Sequence, residues 1–256
     1  MRKILIGSKA IKHWYEDFAR EPKDTDFAVD EKESSNDPNI EYLYNPVLFK
    51  YTDDEILSSE FLLTLKASHL FYDTNWNKHM FDAQFLVRKG NKIDKGIFLD
   101  LVEFWKDYLP QIRRSKLNMT KEDFFTNKVN YDVAEHDILH TFINPVPLYQ
   151  LILKDGCEVN LDESKWDELD DETKMELVQE EVYVMAYERY RKLDYRVAYS
   201  RMLNKFIMTH APVFMVPFIV ENYLKMLKPK FNYYERIERH VSIGADRSIE
   251  QEVQFS

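Results

Sequence analysis

Glycine is the residue whose scarcity most restricts the folds open to this chain. Five glycines occur among 256 residues, about 2% where ordinary domains carry about 7%. Sheets joined by many tight turns need glycine at positive φ, whereas helices do not. Hydrophobic residues make up 45% of the chain and aromatic residues 14%, which is enough apolar material for a packed core. We therefore expect a mostly helical globular protein and exclude a disordered or low-complexity one.

The first fifty residues follow a different pattern from the rest. Residues 3–7, 25–29 and 40–44 are short apolar or alternating runs bounded by turn residues, and we predict that they are strands of one sheet. Between the first two strands, Ser8 can cap a helix through its hydroxyl group, and the apolar residues from Ala10 to Phe18 have helical spacing. The segment predicts a small unit of strand, helix, strand, loop and strand.

Helical periodicity dominates after residue 53. The predicted helices are Asp53–Phe71, Asn77–Lys89, Ile97–Leu109 (ended by Pro110), Lys121–Thr126, Asp132–Ile143, Leu148–Lys154, Asp171–Leu193, Tyr195–His210 and Val213–Leu227. We predict an α+β fold in which a small N-terminal mixed sheet, residues 1–52, carries a large helical region, residues 53–256. No linker-like stretch divides the helical region, so we expect one cooperative unit.

Charge and cysteine content restrict the class of protein further. Asp and Glu exceed Lys and Arg by 45 to 35, for a net charge of −10, which disfavours sequence-independent coating of DNA. The single cysteine, Cys157, excludes an internal disulfide and a cysteine-based zinc site, and it suits a reducing compartment. The apolar run at the N-terminus is shorter than that of a secretory signal. The longest apolar stretch, Ala211–Val220, is too short to cross a bilayer and contains two prolines. We expect a cytoplasmic protein with no membrane partner.

Two carboxylates near the N-terminus form the strongest chemical pattern. Asp24 and Asp26 are two residues apart on a predicted strand, so their side chains share one side of it. Adjacent carboxylates repel one another, and Mg²⁺, which prefers carboxylates and substrate phosphates, relieves that repulsion. Just upstream, the turn at Gly7 and Ser8 leads into a helix whose free N–H groups can bind a phosphate. The segment predicts a phosphate cradle beside a metal-binding pair.

This arrangement resembles the polymerase β-type nucleotidyltransferase superfamily, whose signature is an apolar residue, Gly and Gly or Ser, followed by Asp-x-Asp. The resemblance implies a nucleotidyltransferase-like fold and Mg²⁺- or Mn²⁺-dependent transfer from an NTP to a hydroxyl of RNA, protein or a small molecule. It implies that Gly7 and Ser8 hold the phosphates and that Glu41 is a third catalytic carboxylate beside Asp24 and Asp26.

A looser similarity to single-domain members of that superfamily covers two further segments. It implies that Lys66 and Lys78 bind the nucleotide, although Lys78 and Asp82 also have the spacing of an ordinary helical ion pair. The whole chain resembles a group of phage-encoded proteins with a nucleotidyltransferase-like start, which implies a bacterial or phage-infected cell.

Two other functions remain open at this stage. His136 and His140 are four residues apart on a predicted helix, the spacing of two zinc ligands, and would make the protein a metallohydrolase. They also suit ordinary hydrogen bonds to neighbouring carboxylates. The other function is that of a catalytically inactive nucleotidyltransferase-like protein that binds a toxin or defence partner.

Overall fold

The N-terminal sheet contains the three strands that the sequence predicts. In the computed structural model, which describes residues 1–70, 76–113, 149–152, 158–189 and 195–228, strands β1 (Lys3–Ile6), β2 (Thr25–Val29) and β3 (Ile40–Tyr44) lie in that order in one sheet. Strand β2 is antiparallel to β1 and parallel to β3. The sheet is therefore mixed, and the prediction of an α+β fold is confirmed.

The segment after the sheet departs from the predicted helix over Asp53–Phe71. Leu5 accepts a hydrogen bond from Leu57 N at 3.0 Å and donates one to Glu55 O at 2.8 Å, so residues 55–57 lie along the free edge of β1. Helix α2 (Ser59–His69) begins only after Ser58, whose side chain accepts a hydrogen bond from Phe61 N. The early start predicted for this helix is wrong, because pairing with the sheet edge satisfies the backbone groups of the preceding residues.

Four helices accompany this sheet in the described part of the N-terminal half. Helix α1 (Gly7–Trp14) packs on β1 and β2, and α2 contacts α1, α3 (Trp76–Arg88) and α4 (Lys95–Arg113). Their shared core contains Leu62, Leu63, Trp76, Phe98 and Trp105, which are all buried. Helix α4 continues through Pro110, where the sequence predicts its end, and reaches Arg113. A proline inside a helix costs one backbone hydrogen bond and a clash with a carbonyl group of the preceding turn, and it can kink a helix without ending it.

The C-terminal elements begin with a hairpin in place of a predicted helix. Strands β4 (Tyr149–Ile152) and β5 (Glu158–Leu161) are antiparallel, so the helix predicted over Leu148–Lys154 is wrong. A short apolar run fits the period of a strand as well as that of a helix, and the partner strand decides between them. The remaining helices among the described residues are α5 (Glu163–Glu168), α6 (Asp171–Arg189), α7 (Tyr195–Thr209) and α8 (Val216–Met226), the last preceded by a 3₁₀ turn at Val213–Met215. The helices predicted over Lys121–Thr126 and Asp132–Ile143 lie outside the described residues.

The chain divides into two compact units. The first comprises Met1–Pro145 with Val216–Glu221, and the second comprises Val146–Met215 with Asn222–Ser256. The boundary predicted after residue 52 therefore falls inside the first unit, which includes the sheet and helices α1 to α4. None of the described helices combines the length and the apolar character that crossing a bilayer requires.

The cap of α2 provides a test of this fold. Replacing Ser58 by Ala removes the acceptor for Phe61 N and should lower the free energy of unfolding by about 1 kcal/mol. Ser34→Ala, at an exposed loop position, is the matched control and should change it by less than about 0.5 kcal/mol. Urea denaturation measures both values; equal values for the two variants would contradict the observed start of α2.

Candidate metal centre

Three carboxylates come together at one end of the sheet. Asp26 on β2 lies opposite Glu41 on β3 in the parallel ladder, and Asp24 stands one residue before the start of β2. Each of the three can offer a carboxylate oxygen within 4.8 Å of the oxygens of the other two. Asp24 and Asp26 are half-buried, whereas Glu41 is exposed. The register between β2 and β3 thus brings together residues that are up to 17 positions apart in the chain.

The geometry of this group suits a small divalent cation. Oxygen ligands lie about 2.1 Å from Mg²⁺, so opposite ligands of an octahedral ion are about 4.2 Å apart. One carboxylate oxygen from each of Asp24, Asp26 and Glu41 lies within 4.8 Å of the other two, which is close to that separation. An all-carboxylate donor set also matches the preference of Mg²⁺ and Mn²⁺ for hard oxygen ligands.

Gly7 allows the backbone to approach the metal-binding carboxylates closely. Ile6 is paired with Asp26 in the antiparallel ladder, so the chain turns into α1 directly beside that carboxylate. The φ angle of Gly7 is +70°, and a Cβ atom on it would lie 2.0 Å from Asp26 Oδ2. Only glycine fits this position, both because of the backbone conformation and because of the space that the carboxylate occupies.

The first turn of α1 leaves its backbone N–H groups without a side-chain cap. The residue at the cap position is Ile6, not the predicted Ser8, and the Ile6 side chain has no oxygen that could accept a hydrogen bond. The first turn contains no acidic residue. Such a helix start has donors and a partial positive charge available for an anion. Ser8, which is buried, follows Gly7 in this turn.

Burial and charge act together on Asp26. Burial raises the pKa of Asp26, the neighbouring Asp24 charge raises it further, and Lys66 and Lys78 oppose these effects. The net result is a raised pKa. The two lysines that the resemblance singled out therefore lie within electrostatic range of the carboxylates, Lys66 on α2 and Lys78 on α3.

Lys66 belongs to a buried network that sequence reasoning found only in part. Its Nζ lies 3.1 Å from Asp82 Oδ2 and 3.2 Å from His79 Nδ1. Arg20, from the segment between α1 and β2, donates to both oxygens of Asp82 at 2.6 and 3.0 Å. The ion pairs of Asp82 among the described residues are thus with Arg20 and Lys66, and the alternative pair between Lys78 and Asp82 is not formed.

Arg20 carries no sequence signal that predicts this role. It stands 62 positions before Asp82 in a loop without periodicity, where an arginine is ordinarily a solvated side chain. The histidines proposed as an alternative metal site, His136 and His140, lie outside the described residues.

Replacing Gly7 by Ala tests the close approach to Asp26. Gly90, which has φ of +88° and nothing within 4 Å of a Cβ position, is the matched control. Both substitutions cost about 1 kcal/mol for a left-handed backbone, but Gly7→Ala should cost at least about 1 kcal/mol more because of the steric overlap. Urea denaturation measures the difference. Equal losses at both positions would mean that Asp26 does not pack against Gly7.

The pH dependence of stability tests the environment of Asp26. A carboxyl group whose pKa is raised by folding lowers the stability of the folded protein above that pKa. The reason is that ionising the group costs more free energy in the folded state than in the unfolded chain. Below the ordinary Asp pKa of about 3.9 the group is protonated in both states and the effect disappears. With a chelator present to remove divalent cations, Asp26→Asn should therefore leave the melting temperature unchanged at low pH. It should raise the melting temperature increasingly as pH rises through the raised pKa.

Asp30→Asn is the control of opposite sign. The hydrogen bond from the Arg2 side chain lowers the pKa of Asp30, so its charge stabilises the folded state above the ordinary pKa, and this contribution is lost as pH falls through the lowered one. Asp30→Asn should lower the melting temperature at neutral pH and have a smaller effect in acid. The same sign for both variants at neutral pH would contradict the assignment for Asp26.

Comparison with known families locates this site within the chain. A family model described as Domain of unknown function (DUF7277) matches residues 3–94, a range that includes every residue of the site described above. A second model, Domain of unknown function (DUF7275), matches residues 61–239. No curated protein and no solved structure gives a significant match. Since the second model matches more than half of its length, the chain belongs to the DUF7275 family.

Proposed function

We propose that this protein transfers a nucleoside monophosphate from an NTP to a hydroxyl group of RNA, protein or a small molecule, with Mg²⁺ or Mn²⁺ bound by Asp24, Asp26 and Glu41. One observation carries the proposal: the three carboxylate oxygens lie within 4.8 Å of one another beside the turn at Gly7. A metal-binding group and an anion-binding helix start are thus adjacent, as a metal–nucleotide complex requires. The similarity to the polymerase β-type superfamily supports the same reaction.

In the proposed reaction, the oxygen of the acceptor hydroxyl attacks the α-phosphorus of the NTP. The bond between the α-phosphorus and the bridging oxygen breaks, and pyrophosphate leaves with the electron pair. Glu41 accepts the proton of the hydroxyl group and, being exposed, passes it to solvent. When bound, the divalent cation supplies positive charge that offsets the charges of the phosphates and carboxylates.

The chain's own groups bind the leaving part of the nucleotide. The N–H groups at the start of α1, at Gly7 and Ser8, are donors for β- and γ-phosphate oxygens. Lys66 and Lys78 add positive charge on the side of helices α2 and α3. Phosphoryl chemistry of this kind depends mainly on positioning and electrostatic stabilisation, so these groups and the carboxylates suffice for the proposed step.

Thermal stability with metal and nucleotide tests this proposal. Mg²⁺ with the preferred NTP should raise the melting temperature of the wild-type protein, by the equivalent of about 2.7 kcal/mol at a hundredfold excess over Kd. Asp26→Asn should abolish this effect while the protein stays folded, and His136→Ala, the control, should retain it. Pyrophosphate release in the presence of acceptor candidates then measures turnover.

The same titration separates the alternatives. If none of the four NTPs changes the melting temperature, the proposed enzymatic activity is contradicted, and a catalytically inactive nucleotidyltransferase-like binding protein is favoured. Stabilisation by NTP without pyrophosphate release would favour an inactive nucleotide-binding form. A shift with Zn²⁺ alone that His136→Ala removes would favour a metallohydrolase that uses His136 and His140.

A further inference from the structure

Arg20, Asp82 and Lys66 form a group that we name the buried charge cluster. The Asp82 side chain is 0% exposed and that of Lys66 is 6% exposed, whereas Arg20 reaches the surface with 25% of its side chain. Burial would raise the pKa of Asp82, but the charges and hydrogen bonds of Lys66 and Arg20 hold it below its usual range. Asp82 is therefore a carboxylate whose charge is kept inside the protein by two cations.

The cluster contains one positive charge more than neutrality requires. A single cation balances a buried carboxylate, and burying a second one costs desolvation free energy that needs another source of compensation. Arg20 already donates to both oxygens of Asp82, in the two-pronged geometry that makes such pairs strong. The charge of Lys66 is consequently left in excess, and its nearly complete burial keeps water from screening it.

The positive charge of Lys66 acts on the carboxylates of the candidate metal centre. Lys66 interacts electrostatically with Asp26 and opposes the rise of its pKa. Because Lys66 also contacts His79 Nδ1 at 3.2 Å, its ammonium group is held between Asp82 and a ring nitrogen and has little freedom to turn away. Arg20, Asp82 and His79 therefore decide where the positive charge of Lys66 lies.

The charge balance of the whole site indicates what ligand this arrangement serves. Asp24, Asp26 and Glu41 carry three negative charges, and one divalent cation would leave one of them uncompensated. The buried charge cluster and Lys78 each supply one positive charge, so the metal-loaded site is net positive. A site of that charge beside an uncapped helix start attracts a polyanion.

We propose that Arg20 and Asp82 are positioning residues for the triphosphate: by occupying Asp82, Arg20 leaves the charge of Lys66 available to the phosphate oxygens. This inference rests on the proposed function and adds to it residues that contact no reacting atom. It implies that the net charge of the cluster, and not merely its presence, controls the affinity for polyphosphate.

Two binding measurements on a series of variants test this inference. The first is the affinity for Mn²⁺ alone, from the electron paramagnetic resonance signal of the free ion. The second is the affinity for inorganic tripolyphosphate in excess Mg²⁺, from calorimetry. Arg20→Gln and Lys66→Met each leave a neutral pair with Asp82, Arg20→Lys retains the excess charge, and Arg2→Gln is the matched control at the opposite end of β1, where Arg2 pairs with Asp30.

The expected changes have opposite signs for the two ligands. Arg20→Gln and Lys66→Met should weaken tripolyphosphate binding by roughly threefold to tenfold and strengthen Mn²⁺ binding by a similar factor, because a cation near the carboxylates attracts phosphate and repels metal. Arg20→Lys should recover most of the wild-type behaviour, and Arg2→Gln should leave both affinities unchanged. Circular dichroism verifies that each variant is folded.

Three results would overturn the inference, and they are distinguishable. If Arg20→Gln and Lys66→Met weaken the binding of both Mn²⁺ and tripolyphosphate, the buried charge cluster has only a structural role. If the wild type binds tripolyphosphate and these variants bind it equally well, the cluster has no role in phosphate binding while the proposed function stands. If the wild type binds neither Mn²⁺ nor tripolyphosphate, the proposed function fails as well.

Discussion

The hydrogen-bonded register of three short strands is the constraint on which the candidate site depends. Pairing of Ile6 with Asp26 and of Asp26 with Glu41 brings the turn into α1 and two of the carboxylates to one place. Side chains alternate along a strand, so a slip of one residue would turn Asp26 to the other face of the sheet. The buried residues Ile4 and Ala28, paired on the face that also carries Asp26, oppose such a slip, since it would expose them.

Two neighbouring groups of charged side chains in the first unit carry net charges of opposite sign. The carboxylates of Asp24, Asp26 and Glu41 repel one another, and this repulsion contributes to the raised pKa of Asp26. The buried charge cluster has the opposite excess and lies within electrostatic range of them through Lys66. Each group is costly by itself, and their proximity reduces the cost of both. Burial and like-charge pairs that shift a pKa in this way are common at functional sites.

Several elements of the fold follow from local patterns in the sequence. The strands at residues 25–29 and 40–44 were predicted with the observed bounds, because their apolar and alternating runs are bounded by turn residues. Asp24 and Asp26 could be placed on one side of the chain from their spacing alone. Other predictions failed where a distant partner decides: residues 55–57 pair with β1, and residues 149–152 pair with β5. Neither pairing is encoded in the segment itself.

The sequence by itself determined the α+β class, the strand–turn–helix unit at Gly7 and the acidic pair, because each depends on residues that are close in the chain. Only the tertiary structure decided that Glu41 meets that pair and that Arg20 and Lys66 share Asp82. The first depends on the register between β2 and β3, and the second on the packing of α2 against α3 beneath a loop. Contacts between residues that are far apart in the sequence depend on strand pairing and on the packing of buried side chains. The spacing of residues along the chain does not specify either of these.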